Sequence, residues 1–259
     1  MPQVNLIHFT GKGHPDPLYA AKLLAFTKET RLQMNPAGFD AFMAKPDAEI
    51  LEAMNYMTST IASSWEFVDV VFLINNLSRT TAQQVTRSRE VAFGPEVERK
   101  ASFAMQSQRV TDMSDVSYDV PEALGNSENG RWYASAMEDQ IGVYSLAVEE
   151  YGMTLEDARD LLPGGVHCNL VAKYNFRTFV EMIRARDSLR VQGPYVSIVQ
   201  QMKAAVLEVW PWSAPFFVPK QTKAIELIEA VARELKTAGA VYQGPAGKLA
   251  KAADLLKGE

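Results

Sequence analysis

The chain has 259 residues, enough for one large domain or two small ones, and its 47% hydrophobic and 22% charged residues are typical of globular proteins. A formal net charge of −5 argues against a general binder of nucleic acid or of anionic membranes. The single cysteine excludes an intramolecular disulfide, and the three histidines stand in no metal-ligand spacing. Neither a membrane-spanning apolar run nor a signal peptide is found, so we expect a cytoplasmic protein.

Helical and strand-like segments follow one another without a regular pattern. Apolar and alternating residues predict strands at 4–9, 66–75, 103–110 and 166–174. Caps, spacing and breakers predict helices at 16–31, 47–57, 78–89, 132–151, 154–163, 175–190, 195–210 and 223–236. Gly, Pro and charged residues predict a loop at 35–38 and a loop or insertion at 90–100. Because the regular βαβ alternation of doubly wound folds is missing, this order favours an α+β fold.

The predicted helix 175–190 carries arginines on both of its faces. At about 100° per residue, its apolar face is formed by Phe179, Met182 and Ile183. Arg186 and Arg190 continue that face, and a guanidinium turned toward a core needs an acceptor or an anion unless it reaches the surface. The opposite face, where i,i+4 pairs of solvated charges are expected, is formed by Arg177, Glu181, Arg184 and Ser188.

Arginine is the residue type that dominates the candidate site. The arginines concerned are Arg79, Arg87, Arg89, Arg109, Arg159, Arg177, Arg186 and Arg190. Arg159 lies among the apolar residues of the predicted helix 154–163, and Gln84 precedes Arg87 by one helical turn. Ser107 and Arg109 would face the same way on a strand. The planar guanidinium group can donate two hydrogen bonds to a phosphate or carboxylate, so the set suits a phosphorylated, base-bearing small molecule. Taken singly, several of these arginines would be explained equally well by surface ion pairs.

Other familiar sites are missing from the sequence. Gly11-Lys12-Gly13 has neither the spacing nor the Ser/Thr of a phosphate-binding P-loop, and no GxSxG elbow occurs. His167-Cys168 would suggest a thiol nucleophile, but Cys168 lies in an apolar strand, where buried cysteine is usually inert packing. We therefore expect no thiol mechanism.

Two motifs that share Arg87 lie around the charged segment 90–100, the first before it and the second on both sides of it. A motif of the form FxIxxSRxxxxQxxR is matched by Phe72, Ile74, Ser78, Arg79, Gln84 and Arg87, with one additional residue between Ile74 and Ser78. A second motif, of the form RHRxxSxNExSxR, is interrupted by the charged segment and is made by Arg87, Ser88, Arg89, Ser102, Ser107 and Arg109. Within it, Ala104 and Met105 stand where the motif has Asn and Glu.

Further motifs follow downstream. Residues 158–163 read ARDLLP, residues 175–177 read NFR, and residues 210–212 read WPW. From residue 15 to residue 217 the whole series resembles the flavin-dependent thymidylate synthases. That family has the motifs ARxxLP and NxR and, further on, an arginine that follows a leucine. Here the corresponding arginine is Arg186, which follows Ala185. The resemblance rests on order and spacing across several motifs, because each motif alone is weak. No counterpart is found from Val218 onward.

The resemblance implies an α+β fold with a central, mostly antiparallel sheet flanked by helices, in a homotetramer whose active sites are shared among subunits. It implies a catalytic domain at 1–217 and a C-terminal helical extension at 218–259. Such enzymes bind FAD and dUMP, take a carbon unit from methylenetetrahydrofolate and electrons from NADPH, and use no cysteine nucleophile. The implied reaction is methylation at C5 of a uracil nucleotide.

Positions that match the family motifs carry the site residues that the resemblance implies. The nucleotide would be held by Gln84, Ser107, Arg109, Arg159 and Arg186. Arg109 and Arg159 suit the phosphate, and Arg186 is the expected catalytic residue, stabilising negative charge as C5 becomes nucleophilic. The flavin cofactor would be faced by Ser63, Glu66, Arg87, Ser88, Arg89, Asn175, Arg177 and Glu181.

The departures from the family pattern fall on the flavin and folate side. Ser88, Ala104, Met105 and Glu181 replace the family's His, Asn, Glu and Asn. One explanation is an enzyme that binds FAD differently and acts on a related pyrimidine nucleotide such as UMP or dCMP, with transfer of a hydroxymethyl rather than a methyl group as a further variation. The other explanation is a nucleotide-binding homologue without redox chemistry. The retention of Asn175 and Arg177 favours the enzyme, because a module that binds only the nucleotide would be free to lose both.

Overall fold

The computed structural model describes residues 1–28, 34–60, 62–87, 90–93, 96–99, 101–186 and 193–218, together with residues 228 and 231. The chain divides into two compact units, Met1–Ser213 and Ala214–Glu259. In the second unit residues 228 and 231 are helical, but the rest of the predicted helix 223–236 lies outside the described residues. The assignment of 218–259 as an extension stays a prediction.

Strands and helices follow one another along the chain. The strands are β1 (Gln3–Phe9), β2 (Asp69–Ser78), β3 (Glu90–Phe93), β4 (Glu96–Arg99), β5 (Ala101–Met105) and β6 (His167–Asn175). The α-helices are α1 (Tyr19–Lys28), α2 (Pro36–Met43), α3 (Asp47–Met57), α4 (Arg79–Arg87), α5 (Glu128–Glu149), α6 (Leu155–Ala158), α7 (Phe176–Arg186) and α8 (Pro194–Val209). Short 3-10 helices are Ala62–Phe67, Arg159–Leu161 and Pro211–Phe216. Within the described ranges, no helix combines the length and the apolar character needed to cross a membrane.

Four strands form the main sheet in the order β1-β2-β6-β5, and every neighbouring pair in it is antiparallel. β2 and β6 lie at its centre, with Phe72 opposite Ala172, and β5 places Phe103 opposite the same Ala172. The alternation of buried and exposed side chains specifies this register, because a slip of one residue would turn every buried side chain outward. The predicted α+β class with a central antiparallel sheet is confirmed.

The aromatic core connects the sheet to α7. Phe72 stacks on Phe179 of α7 with ring centres 5.5 Å apart, and Tyr174 meets Phe103 edge-on at 5.6 Å. Phe72, Tyr174 and Phe179 have no exposed surface. Each such burial contributes roughly 1.5–3 kcal/mol, and each favourable ring pair about 1 kcal/mol more. The position of α7 is therefore set largely by this packing.

Strand β6 passes directly into α7 at Asn175. Asn175 still pairs with Asp69 of β2, while its Oδ1 accepts a hydrogen bond from the Thr178 N–H at 2.9 Å. The Phe176 N–H donates to the carbonyl oxygen of Val68 at 2.8 Å. This is the N-cap predicted for the helix, and it fixes where α7 leaves the sheet.

The predicted loop at 35–38 is wrong, because these residues begin helix α2. Asn35 Oδ1 accepts a hydrogen bond from the Gly38 N–H at 2.8 Å, and Pro36 takes the first helical position. A proline there needs no N–H partner and already has the φ angle of a helix. Residues that usually interrupt a helix therefore start one here.

Segment 90–100, predicted to be a loop or insertion, contains two strands, so the loop alternative is wrong. β3 and β4 form a separate antiparallel pair, with Glu90 opposite Arg99 and Phe93 opposite Glu96. Val91, Phe93 and Val97 are residues that favour strands, and the surrounding charges obscured their alternation in the sequence.

Two predicted strands have different ends in the structure. β2 starts at Asp69 rather than at residue 66, because Ala62–Phe67 is a 3-10 helix. β5 ends at Met105, and in the turn that follows, the Arg109 N–H donates to Ser107 Oγ at 3.3 Å. The prediction that Ser107 and Arg109 face the same way on a strand is therefore wrong.

The other predicted elements in the described ranges are confirmed, with shifted ends. Helix α1 starts at Tyr19 rather than residue 16, and α6 stops at Ala158, where a 3-10 helix takes over. The cap predicted at Thr154 is present, since its Oγ1 accepts a hydrogen bond from the Asp157 N–H at 3.2 Å. Residues 29–31 and 187–190 of two predicted helices lie outside the described residues.

We predict that the cap at Asn175 supports α7. Asn175→Ala removes the acceptor and should lower the free energy of unfolding by about 1 kcal/mol, as measured by urea unfolding. Asn175→Asp keeps an acceptor at a helix N-terminus and should lose less. Asn129→Ala, at an exposed position of α5, is the matched control and should change stability by less than about 0.5 kcal/mol. Equal losses in the Ala and Asp variants would contradict the capping role.

Candidate functional site

The charged side of α7 is covered by the 3-10 helix Ala62–Phe67. Arg177 Nη1 donates to Glu66 Oε1 at 2.8 Å, and Arg177 Nε donates to Glu181 Oε1 at 3.4 Å. The side chains of Arg177, Glu66 and Glu181 are 24%, 25% and 18% exposed. Burial opposes the charge of Arg177, but the hydrogen bond to Glu66 and the charge of Glu181 outweigh it, so the pKa of Arg177 lies above its ordinary value. We call these three residues the α7 ion cluster.

Arg184 lies on the same side of α7 and is half-buried. Its guanidinium carbon lies 5.9 Å from the centre of the Trp65 ring, which is a cation–π distance. Burial lowers the pKa of Arg184, and the charge of Glu181 opposes that shift. The prediction that Arg177, Glu181 and Arg184 are solvated is therefore wrong, because the 3-10 helix covers them. The predicted pairing of Arg177 with Glu181 is confirmed.

Arg186 is exposed, so of the two alternatives for its guanidinium, burial toward the core and extension to the surface, the structure shows the second. It is the last residue of α7, and the preceding Ala185 is exposed as well, so the core ends before this turn of the helix. The guanidinium carbon of Arg186 lies 5.8 Å from the centre of the Tyr195 ring. Arg190, which was predicted on the same face, lies outside the described residues.

Two arginines from distant parts of the chain meet at one carboxylate. Arg109 Nε lies 2.8 Å from Glu156 Oε1, and Arg109 Nη2 donates to Glu156 Oε2 at 3.4 Å. Arg159 Nη2 lies 4.0 Å from the same Oε1. The side chains of Arg109, Glu156 and Arg159 are 59%, 50% and 35% exposed, so a ligand in solution can reach all three. We call them the surface arginine cluster.

Glu156 is a member of this cluster that the sequence did not predict. Its three-residue spacing from Arg159 is the signal that could have found it, whereas Arg109 is brought in by the fold. The predicted placement of Arg159 among apolar residues is wrong. Because α6 ends at Ala158, Arg159 begins a 3-10 turn and its side chain stays partly exposed.

The remaining predicted site residues belong to neither of these two clusters. Four of them have exposed side chains: Ser63, Gln84, Arg87 and Ser107. Asn175 caps α7 and is separated from Arg177 by a single residue. The side chains of Ser88 and Arg89 lie outside the described residues. Among the residues that are described, Arg186 makes no hydrogen bond or ion pair to either cluster.

Cys168 is 1% exposed in β6, so its predicted burial is confirmed. Burial raises the pKa of its thiol, and the neighbouring Arg79 opposes that shift. Cys168 lines a cleft of about 250 Å³ together with Gln106, His167 and Asn169. A buried thiol that stays protonated is a poor nucleophile, so this cleft lends no support to a thiol mechanism.

Known proteins resemble this chain in sequence. The sequence model of the family described as thymidylate synthase complementing protein matches residues 45–212. A protein of Nitratidesulfovibrio vulgaris named flavin-dependent thymidylate synthase is 30% identical over 158 residues, which are 58% of this chain and 60% of that protein. The chain therefore aligns with less than two thirds of the length of this relative.

Two solved structures share the fold. Thymidylate Synthase X from Helicobacter pylori, determined with FAD and dUMP, has a TM-score of 0.57 and 15% identity, and the match covers 84% of this chain and 97% of that chain. PolB from Streptomyces cacaoi, described as a UMP/dUMP methylase bound with 5-Br dUMP, has a TM-score of 0.59 and 18% identity, with 84% and 94% covered. At these identities the structures establish a common fold alone.

Proposed function

The chain belongs to the thymidylate synthase complementing protein family, and from this premise we propose that it is an FAD-dependent enzyme that methylates C5 of a uracil nucleotide, as in the conversion of dUMP to dTMP. The matched segment, 45–212, contains every predicted site residue from Ser63 to Arg186. The named relatives are methyltransferase-type enzymes. A single cysteine is in keeping with a reducing compartment such as the cytoplasm.

The observation that carries this proposal is the meeting of Arg109 and Arg159 at Glu156. The two guanidinium groups lie 2.8 and 4.0 Å from one carboxylate oxygen, so they already converge on a single anion. A phosphate offers the same kind of acceptor with more charge and more oxygens. A nucleotide phosphate would therefore displace Glu156 and bind both arginines.

Arg186 is the proposed catalytic residue. Its positive charge would stabilise the negative charge that develops on the pyrimidine as C5 becomes nucleophilic, and most strongly where water is excluded. Arg186 is exposed in the single chain. The proposal therefore includes a homotetramer in which a second subunit covers the site, with Gln84 and Ser107 as further nucleotide contacts.

We propose that FAD binds on the side of the α7 ion cluster. The donors there suit a cofactor that carries a pyrophosphate, because Arg177 is charged and held in place while Ser63 and Arg87 are exposed. The proposed contacts are Ser63, Glu66, Arg87, Ser88, Arg89, Asn175, Arg177 and Glu181. When bound, FAD would supply the electrons that reduce the transferred carbon, with NADPH as their source and methylenetetrahydrofolate as the carbon donor.

One observation favours a second candidate, a nucleotide-binding homologue without redox chemistry. Glu181, which stands where the family has Asn, places a second carboxylate on Arg177. A fixed anion at this point opposes the approach of a cofactor phosphate. Transfer of a methyl or hydroxymethyl group to UMP or dCMP is the other alternative, and the solved relative described as a UMP/dUMP methylase makes UMP the first to test.

The proposed function is tested by loading the purified protein with FAD. We expect a flavin absorbance band that survives gel filtration, and NADPH oxidation that requires both methylenetetrahydrofolate and a nucleotide. dUMP, UMP and dCMP are compared in parallel, with uridine as the control that lacks a phosphate. A protein that binds a nucleotide but cannot be loaded with FAD would be the non-catalytic homologue instead.

We predict that Glu156 competes with the nucleotide phosphate for the surface arginine cluster. Glu156→Gln removes the negative charge and should lower the dissociation constant of the nucleotide about two- to fivefold, since an exposed ion pair contributes roughly 0.5–1 kcal/mol. Glu122→Gln is the matched control, because Glu122 is exposed and makes no ion pair among the described residues. It should leave the constant unchanged. Weaker binding by Glu156→Gln than by the wild type would show that Glu156 orients the arginines rather than competing for them.

A further inference from the structure

We infer that Tyr195 is a positioning residue that holds Arg186 in the orientation its charge-stabilising role requires. The inference rests on the proposed function, because it gives a partner to the arginine that is proposed to act at the pyrimidine. Tyr195 belongs to none of the sequence motifs that mark the site. The end of α7 meets the start of α8 where Arg186 contacts the Tyr195 ring.

Arg186 is an exposed side chain whose position is restricted by one aromatic ring. Its guanidinium carbon lies 5.8 Å from the centre of the Tyr195 ring, within the distance at which a ring face attracts a cation. Among the described residues, Arg186 makes no hydrogen bond and no ion pair. A long side chain at a helix end otherwise samples many rotamers, so contact with the ring is what limits them.

Tyr195 is itself fixed by the fold. It is 4% exposed and lies in the first turn of α8, directly after Pro194 and after Gly193, whose φ of 85° suits glycine. Burial, and after it the charge interaction with Tyr195, raises the pKa of Tyr174 well above its ordinary value. The ring therefore keeps its place independently of Arg186.

An aromatic ring holds an arginine without neutralising it. The ring face attracts the cation but brings no opposite charge, so the N–H donors and the positive charge stay available to a substrate. Arg177, by contrast, contacts the carboxylates of both Glu66 and Glu181. A preorganised charge that faces the reacting group lowers the barrier most when nothing competes for it. A ring is thus a better partner than a carboxylate for an arginine whose positive charge must act on the reacting group.

The test compares Tyr195→Phe with Tyr195→Leu in the FAD-loaded enzyme. Phe keeps the ring and should keep kcat within about twofold of the wild type, whereas Leu should lower kcat about tenfold with little change in KM. Flavin absorbance should stay at the wild-type value in both variants. The thermal midpoint should fall for Tyr195→Leu, because Tyr195 is 4% exposed, and it is measured to show that the variant is still folded at the assay temperature. Tyr195→Met, which fills more of the space, replaces Tyr195→Leu if the latter does not fold.

Arg186→Ala is measured alongside, so that the catalytic role of Arg186 and the positioning role of Tyr195 are tested separately. An inactive Arg186→Ala beside a fully active Tyr195→Leu would overturn the positioning role and leave the proposed function standing. A near-normal Arg186→Ala would overturn the role of Arg186 itself. Equal losses in the Phe and Leu variants would assign the effect to the hydroxyl group, and would also overturn the inference.

Discussion

Arg177 joins the charged side of α7 to the 3-10 helix that precedes β2, and the candidate site depends on this junction. Its bonds to Glu66 and Glu181, at 2.8 and 3.4 Å, lie in a partly buried setting, where removing one partner would leave a charge without compensation. On its other side α7 packs Phe179 against the sheet. Because both sides are held and Asn175 caps the start, α7 brings its last residue to a defined place.

Local signals were sufficient where a few neighbouring residues decide the structure. The cap at Asn175 and the alternation of β6 are properties of short segments, and both were predicted correctly. The faces of α7 were not, because helical spacing says which residues share a face but not what packs on it. A 3-10 helix covers Arg177, which was predicted to be solvated, and the core ends before Arg186, which helical spacing placed on the apolar face.

The two charged clusters are built in opposite ways. The α7 ion cluster places two carboxylates on one arginine, whereas the surface arginine cluster places two arginines on one carboxylate. The first arrangement suits a fixed structural contact and the second suits capture of an anion. Arg109 and Arg159 were singled out from the sequence before the family resemblance gave both the same ligand. Their meeting at Glu156 depends on the turn after β5 and on the early end of α6, which no local pattern revealed.

Methylation at C5 must remove the hydrogen from that carbon, and this makes the proposed chemistry directly measurable. The measurement follows the release of tritium to water from a uracil nucleotide labelled at C5, in FAD-loaded protein supplied with NADPH and methylenetetrahydrofolate. We expect the release to keep pace with NADPH oxidation and to stop when the folate is omitted. NADPH oxidation without release of tritium would contradict the account.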